Sequence, residues 1–355
     1  MQTSPTKRRL VTLVVACVGT AMFYVLGLPL PFLFGPMLGC LVIALIGVPL
    51  QGVRHVSMGA RTILGVAVGA SVTPEVIGRL PEMALSVVFI PIYVIIIALV
   101  GVPFFRRLFG FDPITAYYAA MPGGLQDMVI FGQEAGADVR ALSLIHTTRV
   151  LIIVSAAPVI LVHGFGVKLD NPIGDSAASI PVIELVLMAA AALIGWGVAE
   201  RIGLFGASIL GPLIATAILS LTNLIHFRPP TEAILLAQFF IGIAIGVGYV
   251  GVTLNEIRRI VFAGVVFVLL LAGLAALFTE LVVLLGVAPA VDGFLAFAPG
   301  GQAEMTVLAI VVGADLGYVI IHHLTRIMVV IAGAPIAARF LRERADHDID
   351  KKPRQ

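Results

Sequence analysis

Two arginines stand inside long apolar stretches, each three residues after a histidine: His146-Thr147-Thr148-Arg149 and His323-Leu324-Thr325-Arg326. On a helix, residues at i and i+3 share a face, so each imidazole and its guanidinium project together. An arginine at the centre of a membrane helix costs about 2.5–3.5 kcal/mol on insertion scales, so it must face protein and find partners there. Two chemistries fit. The guanidinium can hold an anionic solute or set the charge state of a nearby carboxylate, with the imidazole as proton carrier. Alternatively, the pair ties one segment to another as a buried ion pair, and Asp127 and Glu304 are the carboxylates it is expected to reach.

Upstream of each pair, an apolar segment is broken by Pro122-Gly123-Gly124 and by Pro299-Gly300-Gly301. Freed backbone N–H and C=O groups are costly in hydrocarbon and are tolerated only against protein or a water-lined cavity. Each break leaves a helix N-terminus, near Gly124 and Gly301, with unpaired donors and the positive end of a helix dipole. Two such ends facing one another would suit an anionic or polar ligand. The plainer reading is a tight interhelical turn whose glycines permit close packing. Just beyond come Gln126 and Asp127 in one case, Gln302 and Glu304 in the other. A first-turn carboxylate ordinarily caps exposed amides, and the alternative is a protonatable or cation-coordinating group. The candidate substrate- or ion-binding residues are therefore Gly123, Gly124, Gln126, Asp127, His146 and Arg149, with Gly300, Gly301, Gln302, Glu304, His323 and Arg326. Asp138 and Asp315, each before a new apolar run, read as helix N-caps.

These features recur at one spacing. Pro122, Asp127, Gly136-Ala137-Asp138, His146, Arg149 and Pro158 each lie 177 residues before Pro299, Glu304, Gly313-Ala314-Asp315, His323, Arg326 and Pro335. Gly65 and Gly69 precede Gly242 and Gly246 by the same 177, and Gly35-Pro36 precedes Gly211-Pro212 by 176. The chain reads as two copies of one unit, as in transporters built from structural repeats. The copies are expected at 1–165 and 181–340, with a linker at 166–180 and a charged tail at 341–355. Both Gly-Pro pairs are expected to open the second helix of their copy.

The elements that carry these residues must be membrane helices. Hydrophobic residues make up 60% of the chain, charged residues 12%, and the mean hydropathy is +1.10; soluble proteins carry about 25% charged residues. Apolar spans are expected near 10–27, 33–50, 62–78, 84–104 and 141–165, and again near 181–199, 204–225, 233–252, 260–287 and 316–340. The fold class is all-α polytopic membrane protein, two repeats of about five crossings plus one broken segment each. If 112–136 returns as a hairpin, the copies are inverted; if it crosses, they are parallel. With Lys7-Arg8-Arg9 inside, the hairpin arrangement leaves only Arg79, Lys168 and Arg228 outside, and the crossing arrangement moves Arg140, Arg201, Arg258 and Arg259 out. The positive-inside rule favours hairpins, inverted repeats and both termini in the cytoplasm.

Composition also excludes. The net charge of +2 comes with no basic run or face, so no nucleic-acid partner is expected. Cys17 and Cys40 lie in apolar spans without metal-ligand spacing, and no nucleotide-binding loop is present. Neither cofactor nor metal is expected, and no catalytic set. The partners implied are the lipid bilayer and a small molecule or ion; the sequence is compatible with a homo-oligomer without specifying one.

Phe34-Gly35-Pro36-Met37-Leu38 with Ile209-Leu210-Gly211-Pro212-Leu213, Met121-Pro122-Gly123-Gly124 with Ala298-Pro299-Gly300-Gly301, and the two His-x-x-Arg pairs together resemble the AbrB family of bacterial inner-membrane proteins, over about residues 10–340. That resemblance implies an inner-membrane location. Members carry the conflicting labels of transporter, regulator of gene expression and ammonia monooxygenase. The name is shared with a soluble DNA-binding regulator, but no polar DNA-binding domain exists here, so any regulation would act indirectly. Against the oxidase label, His55, His146, His163, His226, His322, His323 and His347 form no evident copper or di-iron set. The leading expectation is a secondary transporter with a central site for a small anion at the repeat interface. The alternatives are a cation exchanged at Asp127 and Glu304, or a membrane regulator or sensor.

Overall fold

The computed structural model describes residues 4–28, 30–169, 174–204, 207–330 and 332–333; the side chains of Arg54, Gln126, Asp127, Ile130 and Ala303 lie outside that description, as do part of the expected linker and the charged tail. The described residues form helices joined by short turns and loops, with no strand among them. In order come α1 (Pro5–Val25), α2 (Pro31–Leu45), α3 (Arg54–Gly69), the short α4 (Pro74–Gly78), α5 (Leu80–Phe109), α6 (Pro113–Ala120), α7 (Leu125–Ala135) and α8 (Val139–Val159). The second half gives α9 (Val182–Arg201), α10 (Ala207–Leu221), α11 (Thr231–Gly246), the short α12 (Leu254–Glu256), α13 (Phe262–Leu284), α14 (Ala290–Phe297), α15 (Gln302–Val312) and α16 (Leu316–Val330).

Among the described residues, six helical stretches are long and apolar enough to cross a membrane: Pro5–Val25, Leu80–Phe109, Val139–Gly164, Val182–Arg201, Thr231–Tyr249 and Leu254–Leu284. Their burial pattern is that of a bilayer protein. Val18, Leu99, Leu193 and Leu269 are 64–69% exposed, while Arg149 and Arg326 are among the largest fully buried side chains. Each expected span falls on a helix, although α2 and α10 are only 15 residues long. The Gly-Pro pairs do not open them. Pro36 and Pro212 sit inside α2 and α10, because α2 already starts at Pro31 and α10 at Ala207. Gly35 and Gly211 instead serve close approach: a Cβ on Gly35 would overlap the backbone at Gly19 and Thr20, and one on Gly211 the carbonyl of Gly195.

The chain forms two compact units that cut across the two copies expected from the sequence. The first takes Met1–Pro81, Ser155–Val252 and Ala303–Ile320; the second takes Glu82–Val154, Thr253–Gln302 and Ile321–Gln355. Within the first, small residues let helices from the two halves of the sequence touch backbone to backbone. On α3, Gly65 faces the Ile209 carbonyl of α10 and Gly69 that of Leu213; on α11, Gly242 faces the Leu33 carbonyl of α2 and Gly246 that of Met37. Both contacts run in the same sense along the chain, so α3 lies parallel to α10 and α11 parallel to α2.

Within the second unit, α5 and α13 pack along an aromatic seam. Phe109 meets Phe262 at 6.4 Å, Phe105 meets Phe267 at 4.7 Å and Tyr93 meets Phe278 at 5.0 Å between ring centroids. As one number falls the other rises, so these two helices are antiparallel. The segment between α5 and α8 turns back on itself: the Asp138 N–H, at the end of the segment, donates to Thr115 Oγ1, near its start, at 2.8 Å. One broken helix running straight on would hold residues 115 and 138 about 35 Å apart at 1.5 Å per residue.

Candidate functional site

The turn between α6 and α7 is built from extended backbone, with Met121 at φ −64°, ψ 132° and Gly124 at φ −63°, ψ 142°. Gly123, Gly124, Gly300 and Gly301 are absent from the glycines with positive φ, so left-handed conformation is not why glycine stands there. Space is the reason at Gly123, where a Cβ would lie 2.6 Å from the Met128 side chain.

Extended residues after a helix leave carbonyls without partners, and the His-x-x-Arg pair supplies them. Arg149, on α8, donates from Nη1 to the Met121 carbonyl at 2.9 Å and from Nη2 to the Gly123 carbonyl at 2.5 Å. His146, one turn earlier, bonds through Nε2 to the Tyr118 carbonyl at 3.0 Å. A carbonyl only accepts, so the proton of that imidazole sits on Nε2. The second half repeats the arrangement on α16. Arg326 donates from Nη1 to the Ala298 carbonyl and from Nη2 to the Gly300 carbonyl, both at 2.8 Å, and His323 Nε2 bonds to the Leu295 carbonyl at 2.9 Å. A cation at the C-terminal end of α6 or α14 also meets the negative end of that helix dipole.

These clamps lie deep. Arg149 is ten residues into α8 and Arg326 ten into α16, about 15 Å along each helix, or half the roughly 30 Å hydrocarbon core. Both are 2% exposed, with His146 at 0% and His323 at 1%.

The expectation that Arg326 reaches Glu304 is corrected; Asp127, the other expected partner, lies outside the described side chains. The described partners of Arg326 are two carbonyls and His323 Nδ1, at 3.0 Å, and no described Asp or Glu lies within ion-pair distance. The forked guanidinium matches two carbonyls along one turn as well as it matches a carboxylate, and the freed carbonyls are the nearer acceptors. The Asp127 and Gln126 side chains fall outside the described residues. Gln302 and Glu304 are buried in the first turn of α15. Asp138 and Asp315 cap α8 and α16, accepting from the N–H groups of Ala141 and Tyr318 at 3.0 and 3.1 Å.

Neighbours that the sequence did not single out support the second clamp. Tyr93 donates its hydroxyl to the Phe297 carbonyl at 3.0 Å, one residue before the carbonyl that Arg326 holds. His322 Nε2 meets Ser86 Oγ at 2.9 Å. Only the adjacency of His322 to His323 hinted at this, and nothing local marked Tyr93. Among the described residues, no three His, Cys, Asp or Glu side chains converge as a metal site would need.

A family model described as "Transition state regulatory protein AbrB" matches residues 32–342. The chain is 29% identical over 323 residues to "Uncharacterized protein YhjN" of Bacillus subtilis (strain 168), covering 84% of this chain and 82% of that protein. It is 25% identical over 332 residues to "Putative regulator AbrB" of Escherichia coli (strain K12), covering 90% and 92%.

Proposed function

We propose a transport function for this chain, which belongs to the AbrB family. In this reading it is a secondary transporter of the bacterial inner membrane that moves a small anionic solute past the two Pro-Gly-Gly breaks. The supporting observation is Arg326: a guanidinium 2% exposed, held by three neutral acceptors with no described carboxylate to balance it. A buried charge without a counter-ion is costly, and an anion arriving at that depth supplies the missing partner. Helix N-termini at Gly124 and beside Gly301 add the positive ends of two helix dipoles.

The antiparallel α5 and α13, counterparts in sequence, fit an inverted repeat, the arrangement that lets one site face each side in turn. Arg106, Arg107, Arg140, Arg258 and Arg259 gather at the α5 C-terminal end, which the positive-inside rule makes cytoplasmic. No catalytic chemistry, metal or cofactor belongs to this reading. A regulator acting through a partner is the second reading, and the names of the family and of the E. coli relative favour it.

Uptake by proteoliposomes tests the proposal, using small carboxylates and inorganic phosphate as probes under an imposed proton or sodium gradient. Wild type is expected to accumulate at least one anion, and Arg326→Lys, which keeps the charge but loses the fork, at least about tenfold less. Folded wild type that accumulates none of them, or only cations, overturns it.

A further inference from the structure

Both clamps belong to one compact unit, made of Glu82–Val154, Thr253–Gln302 and Ile321–Gln355. Within it, two buried nitrogens are left over once the carbonyls are held: His146 Nδ1 and Arg326 Nε have no partner among the described residues. The Tyr93 phenol, bonded to the Phe297 carbonyl, lies in the electrostatic field of both Arg326 and Arg149. The first clamp and the second are therefore neighbours.

The leftover imidazole nitrogen sets His146 apart from its counterpart. His323 is occupied at both ring nitrogens, Nε2 on the Leu295 carbonyl at 2.9 Å and Nδ1 facing Arg326 Nη2 at 3.0 Å. A guanidinium only donates, so His323 Nδ1 must stay an acceptor and cannot take a proton without losing that bond. His146 holds the Tyr118 carbonyl through Nε2, and it keeps that bond whether the ring carries one proton or two. Its Nδ1 lone pair is open to a proton. The obstacle is charge: Arg149, one turn along α8, acts directly on His146, and a second buried positive charge beside it is unfavourable. The elements packed nearby do little to offset it. α6 offers the Tyr118 carbonyl and carries the neutral phenols Tyr117 and Tyr118, and α5 brings Tyr93. α13, which meets Ile145 and Thr148 through Gly264, has no ionisable residue between Arg259 and Glu280. α7, which meets Leu142 through Gly132, carries Asp127, whose side chain lies outside the described residues.

We infer that His146 carries the coupling proton, taking it on Nδ1 as the anion binds and releasing it as the anion leaves, so that the solute moves in symport with one proton. This rests on the transport reading above. An anion supplies both things the protonated ring lacks: a counter-charge for the His146 and Arg149 cations, and an oxygen to accept the new Nδ1–H. In return, the doubly protonated ring holds the anion more tightly than the neutral one. The two effects are one coupling free energy, equal in both directions by linkage. No bond of the solute is made or broken. The proton comes from water on the side of entry and returns to water on the side of exit. His323, tied at both nitrogens, stays neutral and serves the clamp alone.

The test counts protons. Purified protein is titrated calorimetrically with acetate, lactate, pyruvate and sulfate, which stay ionised between about pH 6 and pH 8, in buffers of different ionisation enthalpy. Wild type is expected to take up about one proton per anion bound, with affinity rising by up to about tenfold for each pH unit the pH falls. His146→Gln keeps a donor for the Tyr118 carbonyl but cannot titrate. It should bind the anion without proton uptake and without the pH slope. In proteoliposomes it should still exchange labelled for unlabelled anion, yet no longer accumulate it under a proton gradient. His323→Gln should keep both the proton count and the slope. Where His146→Gln does not fold, histidine-selective 15N NMR of wild type carries the same expectation, one buried imidazole gaining a second N–H on anion addition.

A proton count near zero in wild type, a count that persists in folded His146→Gln, or an equal loss in His323→Gln overturns the coupling role of His146. The two failures separate. Anion binding and uptake without a linked proton sink the symport and leave the transport reading standing, whereas no binding and no uptake of any probe sink both.

Discussion

The two clamps perform the same backbone task with different polar surroundings. In both, an arginine holds two carbonyls of a broken helix and a histidine holds a third, at matching separations of 28 and 26 residues along the chain. In the second half, Arg326 Nη2 also donates to His323 Nδ1, which fixes both ring nitrogens, and His322 and Tyr93 add further bonds. In the first half His146 Nδ1 is buried without a described partner, and Ile145 stands where His322 has its counterpart. The carbonyl clamp is common to both halves; the chemistry around the imidazole is not. A proton carrier needs a nitrogen free to change its partner, and His146 meets that condition where His323 does not.

Removing either clamp should have the largest effect. Arg149→Gln or Arg326→Gln strands buried carbonyls, and breaking a buried charged group's hydrogen bonds costs about 3–5 kcal/mol. Thermal unfolding in nanodiscs should show both variants strongly destabilised or unfolded and the lysine variants between them and wild type. If only one arginine behaves so, the clamps are not equivalent.

Next come the glycines of the first unit. Gly65→Ala and Gly242→Ala each drive a Cβ into a carbonyl, of Ile209 and Leu33, so each should cost about 1–3 kcal/mol. Gly59→Ala and Gly197→Ala, which meet nothing within 4 Å, should cost none and gain slightly in helix propensity. Equal losses at Gly65 and Gly242 would sharpen the likeness of the halves; unequal ones would break it.

Smaller still is the extra polar shell of the second half. Tyr93→Phe and Ser86→Ala each delete one buried hydrogen bond, and a loss of about 1 kcal/mol apiece is expected from the same melts.

What the sequence revealed was local. The i, i+3 spacing of His146 and Arg149, the helix break at Pro122, and the caps at Asp138 and Asp315 depend on neighbours within a turn, and all have the described geometry. The Gly-Pro pairs misled because Pro at a helix start is the common case, whereas here close approach of α1 and α2 at Gly19 and Gly35 fixes the glycine and the helix begins earlier. Glu304 misled as a partner for Arg326 because charge alone suggests a carboxylate, and the freed carbonyls become visible only once the chain is folded. Tyr93 to Phe297 and Arg79 to Asp315 join residues more than 200 apart, which no local pattern encodes.

The central claim is that Arg326, buried at mid-membrane with no carboxylate partner among the described residues, holds an anion in transit. A thermal-shift series on the purified protein, comparing small carboxylates and phosphate with inorganic cations on wild type and Arg326→Lys, tests it most directly. Stabilisation of wild type by an anion, lost or much reduced in the folded lysine variant, is the expected result. Stabilisation by cations alone, or equal stabilisation of both proteins by the same anion, would contradict it.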